Sequence, residues 1–181
     1  MGRLMNLWAT TQLLVLSLSL MWLPAQAKTV TVAPPERAYD GAAKAWVNGG
    51  RLCLGLEPSY EAGGVMVDAA NAAQHEVMLN ALLVHKDQQV VWQAHAPKLG
   101  AATLAMRSDT CLPYGQTPAA MTEVIPAQPL SPGLYTVMLV GNDEQNRRAW
   151  FYQHFCVGPD VNRLRVTAAT FSGASQRWQC G

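Results

Sequence analysis

The segment 129–157 constrains the fold of this chain more than any other. Two apolar runs rich in β-favouring residues, 134–140 and 149–157, flank a polar connection. Side chains in the first run alternate between two faces with the period of two residues that a strand requires. The second run carries bulky side chains on both faces, which indicates a strand that is covered on both sides. The segment therefore predicts a long β-hairpin around which the rest of the chain is organised.

The turn that precedes this hairpin has the sequence LSPGLY, from Leu130 to Tyr135. It resembles the tyrosine corner of Greek-key sandwiches, in which a tyrosine at the start of a late strand hydrogen-bonds back to the turn before it. We therefore expect the Tyr135 hydroxyl to bond to this turn. This feature bears on the fold and not on the chemistry.

Other short apolar runs predict further strands, and turn residues separate them. The runs are 28–32, 52–56, 75–85, 90–95, 101–106, 122–125 and 163–171, the last expected to be the final strand or an edge strand guarded by arginines. Pro58 is expected to end the strand 52–56, and a polar connection is expected before it, closed by the glycine pair 49–50. The pattern predicts an all-β, Ig-like antiparallel β-sandwich of about seven to nine strands, stapled by disulfides.

The segment 65–84 permits two interpretations. It is rich in Ala, Met and Leu, which favours a helix on propensity alone. Its second half alternates, however, and a polar turn and another apolar run follow it, which favours a hairpin of 75–85 with 90–95. We predict the hairpin, with a short helical turn at 68–73.

The first 27 residues have the pattern of a secretory signal peptide. Arg3 precedes an apolar core over 13–23, and Ala25-Gln-Ala27 forms a small-x-small cleavage site. The alternative is an uncleaved membrane anchor, but the core is about half as long as a membrane span requires. No Cys stands at the cleavage point to carry a lipid. We therefore expect residues 28–181 to form a single exported, periplasmic domain without a membrane anchor.

The four cysteines are Cys53, Cys111, Cys156 and Cys180. An even number in an exported chain predicts two disulfides, and the absence of closely spaced pairs disfavours a metal site. Three connectivities are open. The preferred one joins Cys53 to Cys111 and Cys156 to Cys180, so that the second bond closes a loop around the C-terminal tail.

The charge balance limits the classes of partner. The chain has 13 basic and 12 acidic residues, and loss of Arg3 with the signal leaves the two in balance. A neutral domain without a basic cluster disfavours nucleic acid or an anionic membrane as the main partner. A protein partner is compatible with this balance.

Three histidines, His75, His85 and His95, recur every ten residues and raise the question of a zinc site. On a hairpin they lie at different heights and not all on one face, so we expect separate histidines and no metal cluster. We predict no cofactor.

The sequence contains no nucleophile motif of the Gly-x-Ser-x-Gly type. His154 is expected to be a hydrogen-bonded histidine and not a catalytic base. Asp143 and Glu144 are expected to be solvated acids of a turn. We therefore predict no enzyme, with a small hydrolase or metal-dependent enzyme using His154 as the alternative.

The tryptophans divide into core and surface candidates. Trp92 and Trp150 lie within apolar strands and are expected in the core. Trp178 lies just before Cys180, and Tyr114 follows Cys111 in a proline-rich segment. Because interfaces favour Trp, Tyr and Arg, we predict Tyr114 and Trp178 as the partner-binding residues.

Four short motifs resemble those of type VI secretion immunity proteins of the bacterial periplasm, most of which are lipoproteins. They are Arg51-Leu-Cys53-Leu, Asp109-Thr-Cys111-Leu-Pro-Tyr114, the corner from Leu130 to Val137, and Tyr152-x-x-Phe-Cys156-Val. The match covers about 50–158. This sequence lacks the lipid-bearing Cys of that family and adds an extension to Cys180. The resemblance implies a protein that neutralises a secreted toxin by occlusion, without catalytic residues; the alternative is a structural or adaptor component of a cell-envelope or secretion system.

Overall fold

The hairpin predicted over 129–157 is present, and its two strands lie in the middle of a large sheet. The structure is a computed structural model that describes residues 39–68, 75–98, 104–159 and 164–181. All of these residues belong to one unit that spans 32–181. The predicted signal peptide and the predicted strand 28–32 lie outside the described residues.

The described residues form thirteen strands and no helix. The strands are β1 Gly41–Asn48, β2 Arg51–Ala62, β3 Val65–Val67, β4 Val77–Lys86, β5 Gln89–His95, β6 Leu104–Met106, β7 Leu112–Pro113, β8 Thr122–Ile125, β9 Gly133–Asn142, β10 Arg148–Pro159, β11 Leu164–Ala168, β12 Thr170–Ser172 and β13 Arg177–Gln179. No helix in this part of the chain is long and apolar enough to cross a membrane.

The main sheet has the order β3-β2-β1-β10-β9-β4-β5-β8. Its pairs are antiparallel except for β1 and β10, which run parallel where Gly41 and Ala42 face Phe151 and Tyr152. Several long strands change partner along one edge: β10 pairs first with β1 and then with β11, and β4 pairs first with β6 and then with β5. Such changes of partner let one set of strands fold over another around a shared core.

The core is a single cluster of buried side chains from most of the long strands. Its largest fully buried members are Trp92, Tyr135, Phe151, Phe155, Leu52, Leu54, Leu79 and Leu82. The predicted all-β sandwich is therefore confirmed. It contains more strands than the seven to nine expected, because short pieces such as β6 and β7 pair separately along the edges of longer strands.

The predicted tyrosine corner is present at the start of β9. Tyr135 is only 1% exposed. Its hydroxyl donates to the carbonyl oxygen of Ser131 at 2.9 Å and accepts from the backbone N–H of Ser131 at 3.1 Å. Its ring also stacks on Phe155 of the partner strand, with the ring centroids 5.5 Å apart. The corner thus ties the turn before the hairpin to the core.

Two predictions about the first strands are wrong. The expected polar connection contains β1, and β2 does not end at Pro58 but continues to Ala62. The register of β2 against β1 shifts between Leu56 and Tyr60, which leaves Pro58 in a bulge. A bulge tolerates proline because no ladder hydrogen bond is needed from its missing N–H.

The glycine pairs form turns as expected. Gly49, Gly50, Gly63 and Gly64 all have positive φ, between 56° and 78°, as a two-residue hairpin turn of type I′ requires. The segment 65–84 is strand wherever it is described, as β3 and the first part of β4. Its predicted helical turn, 68–73, falls almost wholly outside the described residues, as does the first half of the predicted strand 101–106.

The run 163–171 was predicted as the last strand or as an edge strand; its first part, β11, pairs with β10 alone among the described strands, as an edge strand does, but the run is not the last strand. It divides at Ala169 into β11 and β12, and β12 pairs with β13 in a separate two-stranded sheet. Alternation alone did not reveal the break, because Thr170 and Phe171 continue the strand-like pattern on the other side of it.

Two disulfides join Cys53 to Cys111 and Cys156 to Cys180, as preferred from the sequence. No free cysteine remains among the described residues. The first bond connects β2 to the segment before β7, and the second connects β10 to the C-terminal end. Two disulfides are compatible with an oxidising, exported compartment.

Replacing Tyr135 by Phe should lower the free energy of unfolding by about 1–3 kcal/mol, because the partly buried backbone groups of Ser131 lose their partner. The measurement is urea unfolding followed by circular dichroism. Tyr114→Phe is the matched control: its hydroxyl makes one bond, to the carbonyl of the exposed Gln128, which water can replace. Equal losses in both variants would contradict a special role for the corner.

Candidate binding groove

A groove of about 740 Å³ lies on the outer face of β4, β9 and β10. Tyr135, Val137 and Leu139 of β9 point into the core, so the alternate residues of this strand point outward. Three of those, Leu134, Thr136 and Met138, form the floor of the groove. A volume of this size is typical of small-ligand sites.

The strand register brings the two side walls into place. Thr136 faces His154 of β10 on one side and His85 of β4 on the other, and Met138 faces Tyr152. Adjacent strands are about 4.8 Å apart, so the backbones of β4 and β10, which carry the two walls, stand roughly 10 Å from each other. β9 is paired along both edges, and its backbone groups are therefore occupied by the sheet.

The wall on the β10 side is aromatic. Tyr39 stacks on Tyr152 with parallel rings whose centroids are 4.3 Å apart. Tyr152 meets His154 edge-on at 4.8 Å, and His154 contacts Trp178 at 4.6 Å. Trp178 in turn packs against Phe171 of the C-terminal hairpin. The wall is thus one continuous series of rings drawn from the beginning, middle and end of the described chain.

His154 is hydrogen-bonded through both ring nitrogens, as expected. Thr136 Oγ1 lies 2.8 Å from Nδ1, and Tyr152 Oη lies 2.8 Å from Nε2. Burial lowers the pKa of the imidazole to about 4, so the ring is neutral at pH 7. In a neutral imidazole one nitrogen donates and the other accepts, and a hydroxyl group satisfies either role. Both nitrogens are therefore committed to holding the aromatic wall together.

The opposite wall is polar. It consists of His85 and of the turn between β4 and β5, where Asp87 and Gln88 have φ of 48° and 74°. These values define a type I′ hairpin turn, which fixes the backbone positions from which both side chains project. Arg177 lies on the aromatic side of the groove, beside Trp178. Within the described ranges, no hydrogen bond or ion pair engages the side chains of Asp87, Gln88 or Arg177.

The C-terminal hairpin, β12 with β13, carries Arg177 and Trp178. An isolated two-stranded hairpin has little stability of its own. Here the Cys156–Cys180 bond attaches it to β10, and the Ala169 N–H donates to the carbonyl of His154 at 3.2 Å. The disulfide therefore positions one part of the aromatic wall.

The two predicted partner-binding residues lie in different environments. Trp178 is half-buried and lines the groove. Tyr114 does not: its ring lies edge-on to the buried Trp92 at 5.2 Å, and its hydroxyl donates to the Gln128 carbonyl at 2.9 Å. Burial raises the pKa of this phenol to about 12. Tyr114 thus packs against the core, whereas Trp178 is available at the groove.

The histidines considered for zinc lie in three separate places. His75 is 4.0 Å from Glu144, His85 is in the polar wall, and His95 Nδ1 is 2.7 Å from the Ala96 carbonyl oxygen. No group of three or more His, Cys, Asp or Glu side chains in the described part of the chain is placed to hold a metal ion.

Asp143 is not the solvated turn acid that was predicted. It is only 6% exposed, and its carboxylate accepts from the backbone N–H groups of Gln145 and Arg147 and from Arg147 Nε. The carboxylate thus organises the turn between β9 and β10. A short turn can bury an acid in this way because its own N–H groups replace the lost water.

Trp92 is fully buried, as expected, but Trp150 is not part of the core. Trp150 alternates with the buried Ala149 and Phe151, so it points to the outer face, where Arg148 lies over its ring at 6.0 Å. Sequence reasoning placed Trp150, Tyr152 and His154 on one face correctly. It did not show which face was covered, because that depends on which strands pack against β10.

A second groove of about 620 Å³ lies further along β9. Three amides form a ladder in it: Asn80 Nδ2 donates to Asn142 Oδ1 at 2.9 Å, and Asn142 Nδ2 donates to Asn146 Oδ1 at 2.6 Å. These mutual bonds hold β4, β9 and the following turn together, which gives the ladder a structural role.

Lowering the pH should destabilise the fold through His154. The unfolded chain takes up a proton near pH 6.5, whereas the folded chain resists protonation down to about pH 4. The contribution of His154 to the free energy of unfolding is therefore present above pH 6.5 and is lost as the pH falls toward 4. After allowance for the partial exposure of the ring, the loss is about 1–2 kcal/mol. Urea unfolding at several pH values measures this. His154→Gln should flatten the dependence, and an unchanged slope in this variant would contradict the assignment.

Removing the C-terminal disulfide by Cys156→Ser with Cys180→Ser should cost roughly 3 kcal/mol and release the hairpin. Tryptophan fluorescence should shift to the red as Trp178 leaves His154. The control is Cys53→Ser with Cys111→Ser, which should cost at least as much stability while the groove stays intact in the folded protein. An unshifted spectrum in the first variant would show that packing alone holds the hairpin.

Comparisons with known proteins give no indication of the function, so the groove has to be interpreted on its own. No family model, no curated protein and no solved structure matches this chain. The chemistry of the groove therefore has to be interpreted from its own residues. These are an aromatic wall that contains a neutral histidine, a polar wall on the turn between β4 and β5, and the C-terminal hairpin, which a disulfide attaches to β10.

Proposed function

We propose that this chain is an exported, non-catalytic binding protein whose recognition site is the aromatic groove. The observation that supports it most is that the aromatic wall is preorganised. Tyr39, Tyr152, His154 and Trp178 are fixed against one another, and a disulfide holds the element that carries Trp178. A site whose side chains are already ordered loses little conformational entropy on binding, which favours affinity.

The arrangement of titratable groups favours binding over catalysis. A general base needs a free lone pair within reach of its substrate, but both nitrogens of His154 are hydrogen-bonded to hydroxyl groups. Asp87 supplies the carboxylate among the described residues that line the groove. One exposed acid and one committed histidine suit recognition better than proton transfer.

Neutralisation of a secreted toxin by occlusion is the role that the resemblance to immunity proteins suggests. Inhibition by occlusion requires a rigid complementary surface with a few large anchoring side chains, and aromatic residues often supply those anchors. Trp178 and Tyr152 suit this role because ring contacts hold them in place and both line the groove. Two disulfides suit life in the periplasm, where such a toxin arrives.

A structural or adaptor component of the cell envelope or of a secretion system is the second candidate, and the edge of the sheet favours it. Among the described strands, β3 is terminal in the main sheet and pairs with β2 alone. Its Val65 and Met66 are 48% and 64% exposed. An exposed, apolar edge strand is a template for adding a strand from a neighbouring protein.

Inhibition of the toxin encoded by the neighbouring open reading frame tests the immunity role. The purified exported protein should abolish that toxin's activity at equimolar amounts. Trp178→Ala should weaken binding by about 1–3 kcal/mol without loss of fold. Tyr114→Ala, the other predicted anchor, is the comparison: because Tyr114 packs on Trp92 away from the groove, its loss should act mainly on stability. A toxin unaffected by a large excess of protein would overturn the immunity role and leave the adaptor as the better candidate.

A further inference from the structure

The geometry points to a neutral saccharide as the ligand of the groove, with its pyranose rings packed against the aromatic wall. This inference rests on the proposed function only in taking the groove as the recognition site. It concerns the chemical class of what enters. Three properties of the site carry it: a floor without free backbone groups, aromatic rings along one side, and uncommitted polar groups of both charges, with Asp87 and Gln88 on the opposite wall and Arg177 beside Trp178.

The floor excludes binding by strand addition. β9 pairs with β4 along one edge and with β10 along the other, so an extended peptide finds no free N–H or C=O groups in the floor. Recognition must come from side chains alone. The backbones of β4 and β10 are roughly 10 Å apart, and the groove between them has a volume of about 740 Å³, which suits a small ligand.

The aromatic wall provides surfaces that suit a sugar ring. One face of a pyranose carries C–H groups with partial positive charge, and the face of an aromatic ring is negative. Tyr152 and Trp178 sit on either side of His154 along the wall, and both line the groove. Because His154 is neutral at pH 7, its ring adds no positive charge beside the C–H groups.

The remaining lining groups match hydroxyls. Asp87 accepts hydrogen bonds, Arg177 donates them, and Gln88 does both, while none of the three is engaged elsewhere within the described ranges. A sugar hydroxyl donates and accepts in the same way. One carboxylate and one guanidinium give no excess of either charge, so a phosphate or a polyanion finds no complementary field. A neutral polyhydroxylated ligand fits this balance.

The ligand should be bound and not cleaved. Hydrolysis of a glycosidic bond commonly uses two carboxyl groups that flank the bond. Among the described lining residues, Asp87 alone has a carboxyl group. The site therefore has the groups for recognition without the pair for cleavage.

Isothermal titration of the full exported protein with chitotetraose, cellotetraose and maltotetraose tests the inference. At least one of them should bind, with a change in Trp178 fluorescence and with little dependence on salt, since the ligand is neutral. Trp178→Ala and Tyr152→Ala should each weaken binding at least tenfold, and Asp87→Asn several-fold. Trp46→Ala, which removes a half-buried tryptophan outside the groove, is the matched control and should bind normally. Co-sedimentation with purified peptidoglycan distinguishes a cell-wall glycan from another saccharide source.

The outcomes separate this inference from the proposed function. If none of the oligosaccharides binds, or if Trp178→Ala binds as tightly as the wild type, the inference is overturned. Should the neighbouring toxin still be inhibited in a Trp178-dependent way, the proposed protein-binding function stands and the groove receives a protein loop. Saccharide binding without inhibition would support the inference and remove the immunity role.

Discussion

The pairing of β9 with β10 is the constraint on which the rest of the structure depends. Its register turns Tyr135 and Phe155 inward as a stacked pair and, one residue further, turns Thr136 and His154 outward as a hydrogen-bonded pair. Core and groove are thus two faces of the same ladder. A shift by one residue would exchange them, placing a histidine in the core and two aromatic rings in water. The tyrosine corner and the Asp143 turn fix the two ends of this register.

Features that depend on neighbouring residues were predictable from the sequence. The alternation of β9 and β10, the turns at glycine pairs and the tyrosine corner all follow from local chemistry, and each is present. The disulfide pairing was a preference among three connectivities. β1 was missed because its polar and small residues are half-exposed, and Pro58 was misjudged because a bulge cannot be recognised until its partner strand is known.

The groove lay largely beyond sequence reasoning because distant segments build it. Alternation placed Tyr152 and His154 on one face, and Trp178 was chosen for its position beside Cys180. Nothing local indicated that Tyr39 stacks on Tyr152 or that the Asp87 turn stands opposite them. Those contacts depend on the sheet order and, for Tyr39, on Asp40, whose carboxylate accepts from the Trp150 N–H at 2.7 Å and so guides the chain into β1.

The aromatic wall also joins the two ends of the described domain. Tyr39 precedes the first strand and Trp178 belongs to the last, yet both lie beside the same short stretch of β10. A molecule bound between Tyr39 and Trp178 would hold both ends of the described domain in place. Fraying of either end, ordinarily the easiest local opening in a domain, would then require the release of the bound molecule. Occupancy should consequently protect the termini from proteases and slow the exchange of amide hydrogens far from the groove, in proportion to the ligand's concentration relative to its Kd.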